Sequence, residues 1–502
     1  MSSKRPAVRG PVAAAGWPAD TEGPVDPDPS ILISGDSPGR HESECEPRIR
    51  NLGRALLIAP SGSYRLSAWM RAAAGLDLDI LVAAEGEHSL MPIGLMPIES
   101  MPLEADGRLG LAPRASGLRI DFDDPQGAVD RILAEHRKQA IAVVIGTDDI
   151  TLELAGLTAR ALGLAHNDPE SARISRRKDM ARTAMAEAGL PIPSFRRLDL
   201  RFDLGSGIDA LWDRRPADSL ALPFDFPCVV KPLAMSASRG VIRADDLGQL
   251  HDACRRTAAI VESAKPSIDE EEAGCLLIES FIPGPEIALE GLLRQGELQT
   301  ISIFDKPDPL DGPFFEETLY ITPSRLPEAI QRTARRRVQE GCAACGLREG
   351  PVHAELRIHD RDAWIIEIAA RTIGGDCARL FRFGAADKSL ETVILQHALR
   401  ASPDLSMPEG RAAGVSMIPT PAAGVLRRVE GVLEASRIPG IQEVSIAVRE
   451  GYPLLPLPEG GEYLGFVFAE GDDPEEVEAA LRRANDELRV IIAPSIPLDI
   501  AG

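Results

Sequence analysis

The stretch VHAELRIHDRDAWIIEIAAR, Val352 to Arg371, sets acidic and basic side chains at a spacing that could bind a cation or a phosphate. Strand-like residues flank a polar turn, His359 to Ala363, so the stretch reads as an antiparallel β-hairpin. Centred on Arg361, this hairpin sets Arg357 against Ile365 and Glu355 directly opposite Glu367. Side chains alternate along a strand, so His353, Glu355 and Arg357 share one face. Ile365, Glu367, Ala369 and Arg371 share the matching face of the neighbouring strand. Two carboxylates about 4 Å apart repel by roughly 4 kcal/mol at an effective dielectric near 20. That is a large part of a domain's stability of roughly 5–15 kcal/mol. A positive group is therefore expected between them.

A second candidate is the small-residue loop AMSASRG, residues 234–240, between the strands FPCVVKPL and VIRA. Backbone N–H groups and the hydroxyls of Ser236 and Ser238 can wrap phosphate oxygens, and Lys231 and Arg239 add positive charge. Lys178, on a helical stretch, is a further cation that reads in isolation as a solvated helix charge.

These residues need elements to hold them. With 502 residues the chain is long enough for two to four domains. A net charge of −22 with no basic stripe argues against nucleic acid as a partner. No run of eighteen apolar residues occurs, so no membrane span is expected, and the N-terminus lacks the apolar core of a signal peptide. Seven scattered cysteines suit a reduced cytoplasm better than a disulfide framework. Cys342 and Cys345 have C-x-x-C spacing, but no second pair follows, and ordinary helix packing is the better reading.

Residues 1–50 are rich in Pro, Gly and Ser and read as a disordered tail. GDSPG, residues 35–39, matches a hydrolase pattern by letters alone and lacks the strand–turn–helix context it requires. Over 51–166, strands RALLIAPSG, LDILVAAE and AIAVVIGTDD alternate with helices, which implies a doubly wound parallel sheet. GSGIDA, residues 205–210, approaches a dinucleotide fingerprint but lacks a βαβ unit, and no Walker A sequence occurs. A second unit spans 167–402, with a small lobe at about 227–290. It opens on one helix, DPESARISRRKDMARTAMAEAGLPIPSF, closed by Gly189 and Pro191. A third, α+β unit covers 403–502.

Taken in order, Lys178, Lys231, the 234–240 loop, IESFIPGPE, Glu355, Glu367 and Arg371 resemble the ATP-grasp superfamily over roughly residues 51–500. Within it the chain looks most like the L-amino-acid ligases, through VVKPLAMSASRG, GPVHAELRI and IIEIAARTIGG. The resemblance implies an ATP-grasp fold with an N-terminal pre-ATP-grasp sheet domain and a C-terminal ligase-type domain. It implies that Lys178, Lys231, Ser236, Ser238, Arg239 and Gly240 bind the phosphates of ATP. Glu279, Phe281 and Ile282 would lie at the adenine hinge, and Glu286 would hold the ribose. Glu355 and Glu367 would ligate Mg²⁺ (or Mn²⁺), the positive group the hairpin calls for, since oxygen donors facing phosphates suit it. Arg371, about 13 Å along the strand from Glu367 at about 3.3 Å per residue, would serve the transferred phosphate.

The implied reaction joins a small-molecule carboxylate to an amine through an acyl phosphate, releasing ADP and phosphate. Glu317 and His353 are the candidate bases. Related ligases carry Glu-Thr-x-His where this chain has Glu317 and then Tyr320, and Ala237 stands where glycine is common in the phosphate loop. The alternatives are a carboxylase or carbamoyl-phosphate-type enzyme and a non-catalytic ATP-binding module. A cytoplasmic location and a candidate homodimer complete the expectations.

Overall fold

The computed structural model of the chain describes residues 53–60, 62–86, 115–200, 222–264, 269–407 and 410–494. The tail, GDSPG and GSGIDA lie outside them.

The first sheet is parallel, as the alternating pattern predicts. It comprises β1 (Arg54–Ile58), β2 (Asp79–Ala84), β3 (Ala115–Arg119) and β4 (Ile141–Gly146) in the order β3-β2-β1-β4. Its central strands are apolar on both faces because both are covered. Ala55 and Leu57 join Trp69 and Met70 of the helix Leu66–Gly75, while Leu56 and Ile58 join Val129 and Ile132 of the helix Pro125–Lys138.

The single helix expected to end at Gly189 is two, Pro169–Arg176 and Lys178–Glu187. Arg177 between them is extended, with ψ 107°, and its buried guanidinium forks both oxygens of Asp179 at 2.9 and 2.8 Å. The break starts a new helix at Lys178, which the unbroken pattern did not foresee.

Next comes the small-lobe sheet. β5 (Phe195–Asp199), β6 (Cys228–Pro232), β7 (Ile242–Ala244) and β8 (Cys275–Ser280) pair antiparallel in the order β5-β8-β6-β7, under the helix Leu247–Ala264.

The largest sheet starts with β9 (Glu286–Arg294), β10 (Glu297–Lys306), β11 (Leu319–Thr322), β12 (Gly350–His359) and β13 (Asp362–Ala369). It continues without a break into the C-terminal part with β14 (Ala412–Ile418), β16 (Ile441–Ile446) and β18 (Gly465–Gly471), in the order β13-β12-β9-β10-β11-β14-β18-β16. Three shorter strands, β15 (Gly424–Glu430), β17 (Pro453–Leu454) and β19 (Arg489–Ala493), form a separate sheet.

Alternation sorts the large sheet into a core face and a site face. Ile287, Leu289, Ala354, Leu356 and Ile358 pack on Ile330, Ala334, Val338 and Cys342 of the helix Glu328–Ala344. Glu286, Glu290, His353, Glu355 and Arg357 fall on the other face. Cys342 and Cys345 are both buried, and burial holds their thiols well above the ordinary range, in keeping with packing.

Candidate active site

The hairpin forms, and Glu355 pairs with Glu367 as expected, but by a different route. His359 pairs with Asp362, so the turn is only Asp360–Arg361, both left-handed (φ 50° and 63°) as a type I′ turn requires. That turn alone would set Glu355 against Ile366. A β-bulge corrects the register: Leu356 pairs with Ile365, Glu355 with Glu367, and Ile366 is the extra residue. Arg357 therefore faces Trp364 rather than Ile365, and Ile365 turns into the core beside Leu356.

Each of the two glutamates has its own cation. Lys178 Nζ is 3.6 Å from Glu367, and Lys306 Nζ is 3.3 Å from Glu355. His353 holds Glu290 through Nδ1 and reaches Glu355 through Nε2 at 3.4 Å, while Glu290 accepts the Ile373 N–H at 3.2 Å. Burial would lower the imidazole pKa, but Glu290 and then Glu355 outweigh it and hold it at about 9. His353 is thus a charged donor with both nitrogens engaged.

Lys306 is the centre of a larger cluster. Its ammonium lies 2.8 Å from Glu286 and 2.5 Å from Glu317, and three carboxylate oxygens of Glu286, Glu317 and Glu355 fall within 4.8 Å of one another. Such a trio could suit a metal ion, yet the ammonium already occupies its middle. Burial alone would depress the Lys306 pKa; the three carboxylates reverse this and hold it well above the usual value. The same balance divides the acids. Burial raises Glu317 despite Lys306, whereas Lys306 and His353 overcome burial at Glu355 and keep it well below the carboxylate range. Glu317 also accepts the Tyr320 hydroxyl at 2.7 Å.

At the small-lobe end, Lys178 Nζ donates to the Met235 carbonyl at 2.8 Å, so one side chain touches both the 234–240 loop and Glu367. Ala237 and Ser238 are left-handed (φ 55° and 54°), and Gly240 follows at 73°. The alanine that departs from the family pattern thus holds a conformation favouring glycine, at a cost of about 1–2 kcal/mol. Glu279 is fully buried between Lys231 at 2.7 Å and Arg182 at 2.6 Å, and its pKa falls to about 2 because these cations outweigh burial. Arg182 also donates to the carbonyl of bulge residue Ile366. One buried arginine therefore joins Lys231 of the small lobe to the strand that carries Glu367. Phe281 and Ile282 line the cavity beside them, and Glu286 accepts from Arg357 at 2.8 Å as well as from Lys306.

At the far end, Arg371 Nε bonds both oxygens of Asp149 at 2.8 Å, and its Nη1 reaches the Thr372 carbonyl at 3.0 Å. Its Nη2 has no bonding partner among the described residues. Arg65 anchors to Thr372, and the Tyr64 hydroxyl accepts the Gly375 N–H at 3.1 Å. Lys178, Lys231, Ser236, Ser238, Glu279, Phe281, Ile282, Glu286, Glu317, His353, Glu355, Glu367 and Arg371 line one cavity of about 1040 Å³. Arg239 and Gly240 do not line it; they donate to the carbonyls of Glu459 and Pro458 in the C-terminal part.

Lys306, Arg182, Glu290 and Asp149 were not singled out from sequence. A signal existed for three of them. Lys306 closes the apolar strand TISIFDK, Glu290 sits inside EIALEGLL, and Arg182 lies on a helix face that must be buried. A charge in such a setting requires a partner.

Comparison with known proteins agrees with this fold. Residues 224–379 match the ATP-grasp domain model, and residues 416–493 match the L-amino acid ligase C-terminal domain 2. A solved L-amino acid ligase from Bacillus licheniformis shares the fold with a TM-score of 0.66, at 25% identity over 88% of this chain and 99% of that one. Alanine–anticapsin ligase of Bacillus subtilis is 25% identical over 254 residues, 47% of this chain and 50% of that enzyme. The uncharacterised protein y4rH of Sinorhizobium fredii is 25% identical over 390 residues, 76% of this chain and 75% of that one. The match to alanine–anticapsin ligase thus spans only half of that enzyme. Fold and site together define an ATP-grasp protein. More closely, the chain combines an ATP-grasp domain with a C-terminal domain like that of the L-amino acid ligases. Among the described residues, no helix is long and apolar enough to cross a membrane.

Proposed function

We propose that this protein is an ATP- and Mg²⁺-dependent carboxylate–amine ligase acting on amino-acid-like substrates. A substrate carboxylate would attack the γ-phosphate of ATP, giving an acyl phosphate and ADP, and an amine would then displace phosphate to form the amide. The observation that carries this reading is the Glu355–Glu367 pair facing one cavity with Lys178, Lys231 and Arg371.

The donor set fits magnesium, because Glu355 and Glu367 are hard oxygen donors on neighbouring strands. When bound there, the ion would neutralise charge on the transferring phosphate. Phosphoryl transfer otherwise needs alignment and charge neutralisation. Lys178 and Lys231 provide both, and Glu279 fixes the direction of Lys231. The free Nη2 of Arg371 can meet the phosphate and later the oxyanion of the tetrahedral intermediate. Glu317 is the better base. Burial raises its pKa above the usual carboxylate value and it lines the cavity, while His353 has neither nitrogen free. His353 instead orients Glu355.

The test is nucleotide and phosphate release with ATP, Mg²⁺ and pooled amino acids. Wild type should yield ADP and phosphate only when amino acids are present. Glu367→Gln should lower the rate at least about 100-fold, since even changes behind a metal ligand cost roughly 10–100-fold. AMP and pyrophosphate as products would overturn the acyl-phosphate route. His353→Gln should raise the Mg²⁺ concentration for half-maximal rate about 10–100-fold with little change in the KM of the amine. An unchanged Mg²⁺ titration would remove His353 from the metal's surroundings.

A further inference from the structure

The phosphate loop is held from two sides, and the second side is the C-terminal part of the chain. Gly240 N–H donates to the Pro458 carbonyl at 2.9 Å, and Arg239 Nε donates to the Glu459 carbonyl at 2.8 Å. Arg256, on the small-lobe helix, forks the Glu459 carboxylate at 2.6 and 2.9 Å and lies 5.0 Å over the Phe314 ring. Gly461 lies beside the loop, where a Cβ would make ordinary contact with Ala237 and Arg239 at 3.5 and 3.4 Å. The residues that follow turn the other way: Gly461, Glu462 and Tyr463 line the cavity, beside Met417 and Phe466 of the C-terminal part. One segment therefore touches the 234–240 loop on one side and lines the cavity on the other.

Resting on the ligase reading above, we propose that the segment Pro456–Tyr463 is a latch that keeps the phosphate lid shut over the acyl phosphate, with Arg256 and Glu459 as its positioning pair. An acyl phosphate exposed to water hydrolyses, and a closed lid excludes water. A lid fastened only to its own lobe could open as soon as ADP formed. Fastened to the wall of the cavity that the second substrate enters, it stays closed until the amine has reacted. Arg239 then acts on the lid through the Glu459 backbone.

Arg256 and Glu459 are both partly exposed, at 45% and 39% of the side chain, so their replacement should leave the fold intact. Two readouts on the full chain test the latch, using Arg256→Met, Glu459→Gln and the swapped pair Arg256→Glu with Glu459→Arg. Amide hydrogen exchange over residues 233–241, without substrates, should quicken about fivefold in each single variant and return toward wild type in the swap. Fivefold is roughly 1 kcal/mol, at 1.4 kcal/mol per tenfold. The ADP released per amide bond formed should be close to one in wild type and rise about fivefold in the single variants. Unchanged exchange overturns the latch, and a ratio that stays at one overturns its coupling to the reaction. If no pair of amino acids yields an amide while exchange still quickens, the latch stands and the ligase reading fails.

Discussion

Lys306→Met should abolish ligation and destabilise the protein by about 3–5 kcal/mol, the cost of leaving a buried charge without its partner. Lys306 is only 5% exposed, and no other ammonium touches all of Glu286, Glu317 and Glu355 among the described residues. Glu286 would keep Arg357 and Glu355 would keep His353, but Glu317 would retain only the Tyr320 hydroxyl. The loss should depend on pH. Burial already raises the Glu317 pKa, and removing Lys306 removes the main influence that lowers it. A carboxyl whose folded pKa exceeds its unfolded value, near 4.3, destabilises the fold when it ionises and ceases to do so as pH falls. The gap between variant and wild type in unfolding free energy, from urea titrations, should therefore be widest at pH 7 and narrow toward pH 5. A gap below about 1 kcal/mol, or one independent of pH, would mean that Lys306 is not the countercharge of this cluster.

Arg371→Lys should lower kcat by about 10²–10³-fold, the usual effect of losing one donor to a developing oxyanion, with a small change in the KM for ATP. Lysine keeps the charge but not the fork. In Arg371 one nitrogen is fixed by Asp149 and another by the Thr372 carbonyl, which aims the third into the cavity. An ammonium at this position would satisfy Asp149 and leave nothing directed at the substrate. Burial would lower the Arg371 pKa, but Asp149 outweighs it and holds the guanidinium charged, so the deficit should persist across the neutral range. Steady-state kinetics that show a raised KM for ATP at unchanged kcat would place Arg371 with the nucleotide instead of the reacting carbon.

The pairing of Glu355 with Glu367 was legible, although its mechanism was not. Read from residue types, the turn spans His359 to Ala363; in fact a two-residue turn and a bulge at Ile366 give the same pair. The neighbouring hairpin repeats the device. Gln295 and Gly296 form a two-residue turn, and a bulge at Ile301 shifts the register so that Lys306, rather than Asp305, faces Glu286. Turn residues announce themselves because they need left-handed backbone, whereas a bulge residue such as Ile301 or Ile366 is an ordinary strand former. The break at Arg177 escaped for a related reason: it depends on a buried fork to Asp179, not on a helix-breaking residue.

By itself the sequence determined the parallel N-terminal sheet, the two small-lobe strands that flank the 234–240 loop, the facing glutamates and the order of lysines, acids and arginine along the chain. Those follow from local periodicity and turn chemistry, which neighbouring residues suffice to express. Only the tertiary structure decided that Lys306 closes the carboxylate cluster, that Arg182 joins Lys231 to the bulge, that Asp149 aims Arg371, and that residues near Pro458 hold the lid. Each of these joins elements from tens to hundreds of residues apart. A charge reveals that it needs a partner, but which partner it meets is settled only when the sheets pack.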